Sequence, residues 1–200
     1  MPDLPSLLGK IPDEYKPMAA IGMGALMLVC IVLFHGTGLH HILLLHKRGE
    51  RRVLAGKLRR WELVVLFTWV VALMLTLHLL EIMIWAFALD HLGLMPRVQD
   101  AIYFCANAYT TEGYGTVDLE RHWRNISPII AISGLFTFAW TTSLLVDVVG
   151  SHRRLLALLE EERERNQAPG GTLFERYKIW KEKRREERDP RAAAGERNRG

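Results

Sequence analysis

The chain has 200 residues, 50% of them apolar and 24% charged, with 26 Lys and Arg against 22 Asp and Glu for a net charge of +4. There are too few glycines and prolines for a collagen-like or low-complexity chain, and too many large apolar residues for wholesale disorder. The two cysteines, Cys30 and Cys105, sit in apolar surroundings and read as small buried hydrophobes, which excludes a disulfide scaffold.

A mean hydropathy near zero hides a divided chain, because the fifty residues from Ser151 onward hold 14 of the 26 basic residues and 10 of the 22 acids. Residues 1–17 open the chain with neither the basic start nor the small-residue cleavage pattern of a signal peptide. They are expected to form an extracytoplasmic segment. Met18 to Leu45 contains no Asp, Glu, Lys or Arg. Residues 46–60 form a basic loop carrying Lys47, Arg48, Arg51, Arg52, Lys57, Arg59 and Arg60 against Glu50. The second apolar stretch runs from Leu63 to Leu80 and continues through Glu81 to Leu89, and the third is uncharged from Ile126 to Val146. A bilayer core about 30 Å thick needs about 20 helical residues, so each of the three is expected to span a membrane.

Orientation follows from the connections. The loop of residues 46–60 is strongly basic, whereas residues 90–125 carry more acids than bases. Loops rich in Lys and Arg stay in the cytoplasm. The N-terminus and the acidic connection are therefore expected outside, with the basic loop and the tail inside. Trp61, Trp85 and Trp123 fall near span ends, where amphipathic rings favour the interface.

Within the outer connection, Pro96 and Asp100 mark the start of a helical segment, RVQDAIYFCANAY. About a dozen residues make only about 18 Å of helix, too short to cross, so a re-entrant half-helix is expected. It leads directly into Thr110-Thr111-Glu112-Gly113-Tyr114-Gly115, and the third span begins about ten residues later. This order of span, half-helix, Thr-Thr-x-Gly-Tyr-Gly and span resembles the pore domain of the potassium-channel family. Over roughly Val64 to Val149 the sequence HLLEIMIWAF before the motif and WRNISPIIAISGLFTFAWTTSLL after it, with FHGTGLHH in the first span, also look like a group of small bacterial membrane proteins with one pore domain.

The resemblance implies a filter made by Thr111, Glu112, Gly113, Tyr114 and Gly115, supported by Tyr103, Phe104, Asn107 and Thr110. It also implies an inner helix with a hinge at Gly134. Independently of any family, stripping a cation of its water needs several carbonyl oxygens at once, which rings of extended strands supply. Glycines admit backbone angles that a Cβ penalises, and the Thr111 hydroxyl can add a further ring. Two residues depart from the family pattern. Glu112 stands where Val or Ile is usual, and a carboxylate there is costly unless protonated or hydrogen-bonded, with Asn107 the nearest partner. It either tunes the filter, making conduction pH-dependent, or simply packs. Thr116 stands where Asp commonly follows, and Asp118 is two residues further on.

Other polar residues lie inside the spans. His78 and Glu81, three apart, share a helix face and are expected to form a hydrogen-bonded pair. With His35 as a third ligand they would form an intramembrane metal site. Thr137, Thr141 and Leu145 recur at helical spacing on the Gly134 side, and the hydroxyls are expected either to line a polar inner cavity or to bond back to their own helix. Beyond residue 150 a charged cytoplasmic helical tail is expected to residue 188. It is broken at Ala168-Pro169-Gly170-Gly171, resumes from Thr172 with Leu173, Tyr177 and Trp180 on one face, and is followed by disorder over 189–200.

The sequence thus predicts an all-α membrane protein: three transmembrane helices, a re-entrant pore helix with a filter loop within a pore domain at 61–149, and a cytoplasmic helical tail. It is expected to be a multi-pass protein of the bacterial inner membrane, a homotetramer passing potassium or another monovalent cation passively. No enzymatic role, cofactor or nucleic-acid partner is expected, and lipid is the other neighbour. The competing readings are a non-conducting scaffold or regulatory subunit that keeps the pore fold, and an intramembrane metal-binding protein built on His35, His78 and Glu81.

Overall fold

The computed structural model describes residues 8–55, 60–115 and 117–167, together with 180, 181 and 184. Among these residues, helices with described bounds follow in chain order as α1 (Lys16–Leu54), α2 (Arg60–His91), α3 (Val98–Tyr109) and α4 (Ile126–Gln167). Three of them, α1, α2 and α4, are long and apolar enough to cross a membrane, and the chain is a multi-pass, all-helical membrane protein. The expected resumption of the tail at Thr172, with Leu173 and Tyr177, and the expected disorder over 189–200 lie outside the described residues, as does Thr116. Residues up to His152 form one compact unit and those from Arg153 another.

The helix limits follow local chemistry. Pro17 occupies the first turn of α1, where its missing N–H satisfies no bond in any case, and Lys16 pairs with Asp13 at 2.7 Å. That contact holds the Asp13 carboxyl below its ordinary pKa, chiefly through the Lys16 hydrogen bond. Arg51 and Arg52 close the last turn of α1, where positive charge meets the negative end of the helix dipole. Large apolar side chains such as Leu26, Leu33, Trp69, Leu79, Leu135 and Val146 stay exposed on the single chain, a surface suited to lipid or to neighbouring chains.

Helix α1 lies against both α2 and α4, and glycines set the separation. A Cβ on Gly24 would meet Ile129 at 2.6 Å and one on Gly36 would meet Trp140 at 2.9 Å. Toward α2, a Cβ on Gly38 would meet Leu77 at 2.6 Å. Small residues at such contacts let backbones approach closely where lipid supplies no hydrophobic drive between helices.

Two apolar clusters fill the membrane unit. The outer one includes Ile31 of α1, Ile82 and Trp85 of α2, Phe104 and Tyr109 of α3 and Ile130 of α4. The inner one includes Leu39 and Ile42 of α1, Met74 and Leu77 of α2 and Val148 of α4. Trp85 and Trp123, expected at the interface, are 1% and 3% exposed and belong to the outer cluster. Helix α2 continues past Trp85 to His91, which leaves that ring within the span, and Trp123, in the connection that leads into α4, turns its ring into the cluster. Trp61 remains exposed.

Candidate pore helix and buried polar layer

Helix α3 starts where Arg97 leaves the extended conformation, with φ −145° and ψ 142°. The Arg97 Nε–H and Nη2–H groups donate to the two carboxylate oxygens of Asp100 at 2.9 and 3.2 Å. That bond raises the Arg97 pKa, and Asp100 places negative charge at the positive end of α3. The helix then runs for 12 residues and stops well short of a full span.

Its C-terminus is a Schellman turn. The Glu112 N–H donates to the Asn107 carbonyl at 3.0 Å, and the Thr111 N–H donates to the Ala108 carbonyl at 3.1 Å. Glycine is the usual residue at the left-handed position of such a turn, yet Thr111 occupies it with φ 59°. For a β-branched residue this conformation is strained by about 1–2 kcal/mol. Gly113 follows at φ 75°, so two of the three residues after Thr110 are left-handed and the backbone departs from both helix and strand. Thr110 to Gly115 are all exposed on the single chain, and Tyr114 is 80% exposed.

The supporting residues divide. Phe104 is buried in the outer cluster, whereas Tyr103 is half-exposed. The Asn107 amide donates to the Tyr103 carbonyl at 2.8 Å, so its side chain turns back along α3 and only its carbonyl meets Glu112. The Thr110 hydroxyl donates to the Ala106 carbonyl at 2.8 Å. Asp118 is held by Arg124 at 3.1 Å and accepts the Leu119 N–H at 2.9 Å.

The end of α3 is keyed into α4 at Gly134. A Cβ there would lie 2.0 Å from the Tyr109 carbonyl oxygen, so only glycine allows this approach. Helix α4 is continuous through Gly134, and the residue acts in this structure as a docking notch. Thr137 and Thr141 are buried inside the chain at 0% and 8% exposure, and the Thr137 hydroxyl bonds back to its own helix, 3.0 Å from the Ser133 carbonyl and 3.2 Å from that of Gly134. Both lie on the face of α4 turned toward α1, α2 and α3. At about 100° per residue, Ile132, Leu135, Ala139, Thr142 and Val146 occupy the opposite, exposed face.

Thr137 and Thr141 also belong to a polar layer between the two apolar clusters. His35 Nδ1–H donates to Glu81 Oε1 at 2.5 Å, and the Thr141 hydroxyl lies 3.1 Å from His35 Nε2. The Tyr109 hydroxyl donates to Glu81 Oε2 at 2.6 Å, and its oxygen lies 2.9 Å from His78 Nδ1 and 2.7 Å from Thr137 Oγ1. One turn earlier on α4 than Thr137, the Trp85 indole N–H donates to Ser133 Oγ at 3.1 Å. His35 and Glu81 are fully buried. His78 stacks on Phe138 at 4.3 Å, and its Nε2 is buried without a partner among the described residues.

His78 and Glu81, expected as a pair, stand 4.0 Å apart and meet through Tyr109. The pairing of His35 with Glu81 and the role of Tyr109 depend on helix register between elements 28 and 46 residues apart, which spacing within one helix does not convey. An aromatic hydroxyl as the last residue of the half-helix was the available signal for Tyr109. The donor atoms of His35, His78 and Glu81 lie within 4.8 Å of one another, close enough to share one metal ion. Each is already engaged by a protein hydrogen bond, which is how a buried polar group is satisfied without a metal.

Among known proteins, the family model described as "Ion channel" matches residues 77–151. The matched segment contains the end of α2, all of α3, the Thr110–Gly115 motif and the start of α4, and leaves α1 outside. No curated protein and no solved structure matches the chain.

Proposed function

Because residues 77–151 are an ion-channel family domain, we propose that four copies of this chain surround a pore that passes potassium, or monovalent cations more broadly, down their electrochemical gradient. The observation that carries this reading is the Schellman turn that launches Thr110–Gly115 from the half-helix with left-handed residues at Thr111 and Gly113. A strand of this kind supplies one set of carbonyls, and a dehydrated ion needs several sets around it, hence the four copies. Thr111, Glu112, Gly113, Tyr114 and Gly115 form the filter, with Tyr103, Phe104, Asn107 and Thr110 behind it. The exposure of the whole segment on one chain supports an assembly in which neighbouring copies cover it.

The half-helix directs its carbonyl end toward the filter base, where partial negative charge favours a cation. The exposed face of α4, with Ile132, Leu135, Ala139 and Thr142, meets the axis or the neighbouring copies. The basic connection after α1 lies in the cytoplasm, which puts the N-terminus and the filter entrance outside.

The test is potassium-against-sodium flux with purified full-length protein in liposomes. Selective potassium flux is expected. Absence of any cation flux from correctly assembled protein overturns the channel reading and leaves a pore-fold scaffold. Glu112 is the residue on which selectivity turns: Glu112→Val is expected to change the potassium-to-sodium ratio and the response of flux to pH between 5 and 8. Identical flux from both proteins across that range removes Glu112 from the mechanism.

A further inference from the structure

The family domain begins at residue 77, yet the polar layer at its centre is incomplete without α1, because His35 lies outside residues 77–151. Four elements meet at this layer: α1 through His35, α2 through His78 and Glu81, α3 through Tyr109, and α4 through Thr137 and Thr141. Tyr109 is the last residue of the half-helix and immediately precedes Thr110.

We infer that His35 and Glu81 are positioning residues of the filter: the first span, acting through the Glu81 carboxylate on the Tyr109 hydroxyl, fixes the place and rotation of the half-helix end from which the filter strand departs. The proposal rests on the pore reading for its functional consequence and on the contacts alone for its mechanical one.

Tyr109 is held at two points, its carbonyl in the notch at Gly134 and its hydroxyl in the polar layer. One point lets a helix end pivot, whereas two points, one on the backbone and one at the tip of the same residue's side chain, hold its position and restrict its rotation to the line between them. The hydroxyl has a single proton, which goes to Glu81 Oε2, and its oxygen faces His78 and Thr137. The direction of that bond depends on how the carboxylate is turned. The other oxygen, Oε1, is bound by His35 Nδ1–H, and His35 is itself held through Nε2 by Thr141. Removing His35 leaves the buried carboxylate free to turn and deprives Tyr109 of a fixed acceptor. The consequence appears at Thr111, whose left-handed backbone persists only while its surroundings impose it.

Substitutions at His35 separate this role from simple packing. His35→Leu fills space without a donor, and His35→Asn restores an N–H near the position of Nδ1. The measurement is amide hydrogen exchange of the full-length protein in nanodiscs, read on peptides covering residues 104–115, with the assembly state recorded in parallel. A hydrogen bond between helices in a membrane is worth a factor of roughly 3–20, so His35→Leu and Tyr109→Phe are each expected to speed exchange at Thr110–Gly115 by about that factor. His35→Asn is expected to return it toward the wild-type rate. In liposomes the same two variants lower the potassium-to-sodium flux ratio and His35→Asn recovers it.

Exchange at Thr110–Gly115 unchanged in His35→Leu, with any effect confined to α1, overturns the inference. So does a stoichiometric transition metal in the purified wild-type protein that is lost in His35→Leu, since coordination would then replace these hydrogen bonds. A wild type that passes no cation removes the channel reading, while the exchange experiment still decides the positioning role.

Discussion

The Thr110–Gly115 loop and the buried polar layer meet at adjacent residues and are built on opposite principles. Thr110–Gly115 is a contiguous motif, visible in the sequence, yet on one chain it is exposed and its Thr111 backbone is strained. The polar layer has no contiguous motif, since its residues come from four helices and span positions 35 to 141, yet one chain satisfies nearly all of its hydrogen-bonding groups. The difference shows where each gets its stability. The exposed loop draws little support from its own chain, whereas a carboxylate inside the hydrocarbon layer must be satisfied by its own fold. Tyr109 joins the two, with its side chain in the layer and its carbonyl at the foot of the strand.

The largest effect is expected at Gly113. Nothing lies within 4 Å of a Cβ added there, so Gly113→Ala tests backbone conformation rather than space. At φ 75° the added Cβ disfavours the native angle, and cation flux is expected to vanish with assembly and thermal stability nearly unchanged. A variant with full flux would place conduction elsewhere.

Gly134 is the opposite kind of glycine. Its Cβ would collide with the Tyr109 carbonyl, and overpacking of this sort costs about 1–3 kcal/mol. Gly134→Ala is therefore expected to lower the thermal unfolding midpoint, while Gly22→Ala, with open space around it, is expected to leave the midpoint unchanged or raise it. Equal midpoints for the two variants would remove the notch from the account.

Thr111→Gly sharpens the contrast further. It relieves about 1 kcal/mol of left-handed strain and so is expected to raise thermal stability, while loss of the hydroxyl lowers the potassium-to-sodium flux ratio. If stability falls, the Schellman turn is not where strain resides. The smallest change is expected at the exposed pair of Asp118 and Arg124. Asp118→Asn should shift stability by about 0–1 kcal/mol, measured by denaturant unfolding. A large loss there would show that the outer loop supports the filter more than its exposure suggests.

Three spans and the short helix between the second and third were legible in the sequence, because each is written locally. Apolar length identifies a span, insufficient length identifies a half-helix, and Gly-Tyr-Gly after two threonines marks a chain that must leave regular structure. The burial of Trp85 and Trp123 was not legible, because a ring near a span end looks the same whether lipid or another helix covers it. Thr137 and Thr141 were legible as one helix face, but that face proved to be the inward one. Spacing along a helix gives the angle between residues, and only packing gives the direction in which that angle points.

By itself the sequence determined the kind of several segments: three uncharged spans, a basic connection, and a short helix that leads into Thr-Thr-Glu-Gly-Tyr-Gly. Hydrophobicity and backbone propensity act over a few residues, so they can be read from neighbours in the chain. The tertiary structure alone decided that Gly134 is a docking notch, that Glu81 pairs with His35 of the first span, and that Tyr109 carries the end of the pore helix into a shared polar layer. Those are contacts between distant parts of the chain. They depend on the rotation and depth of each helix relative to the others, which close packing at the glycines and the need to satisfy a buried carboxylate fix together.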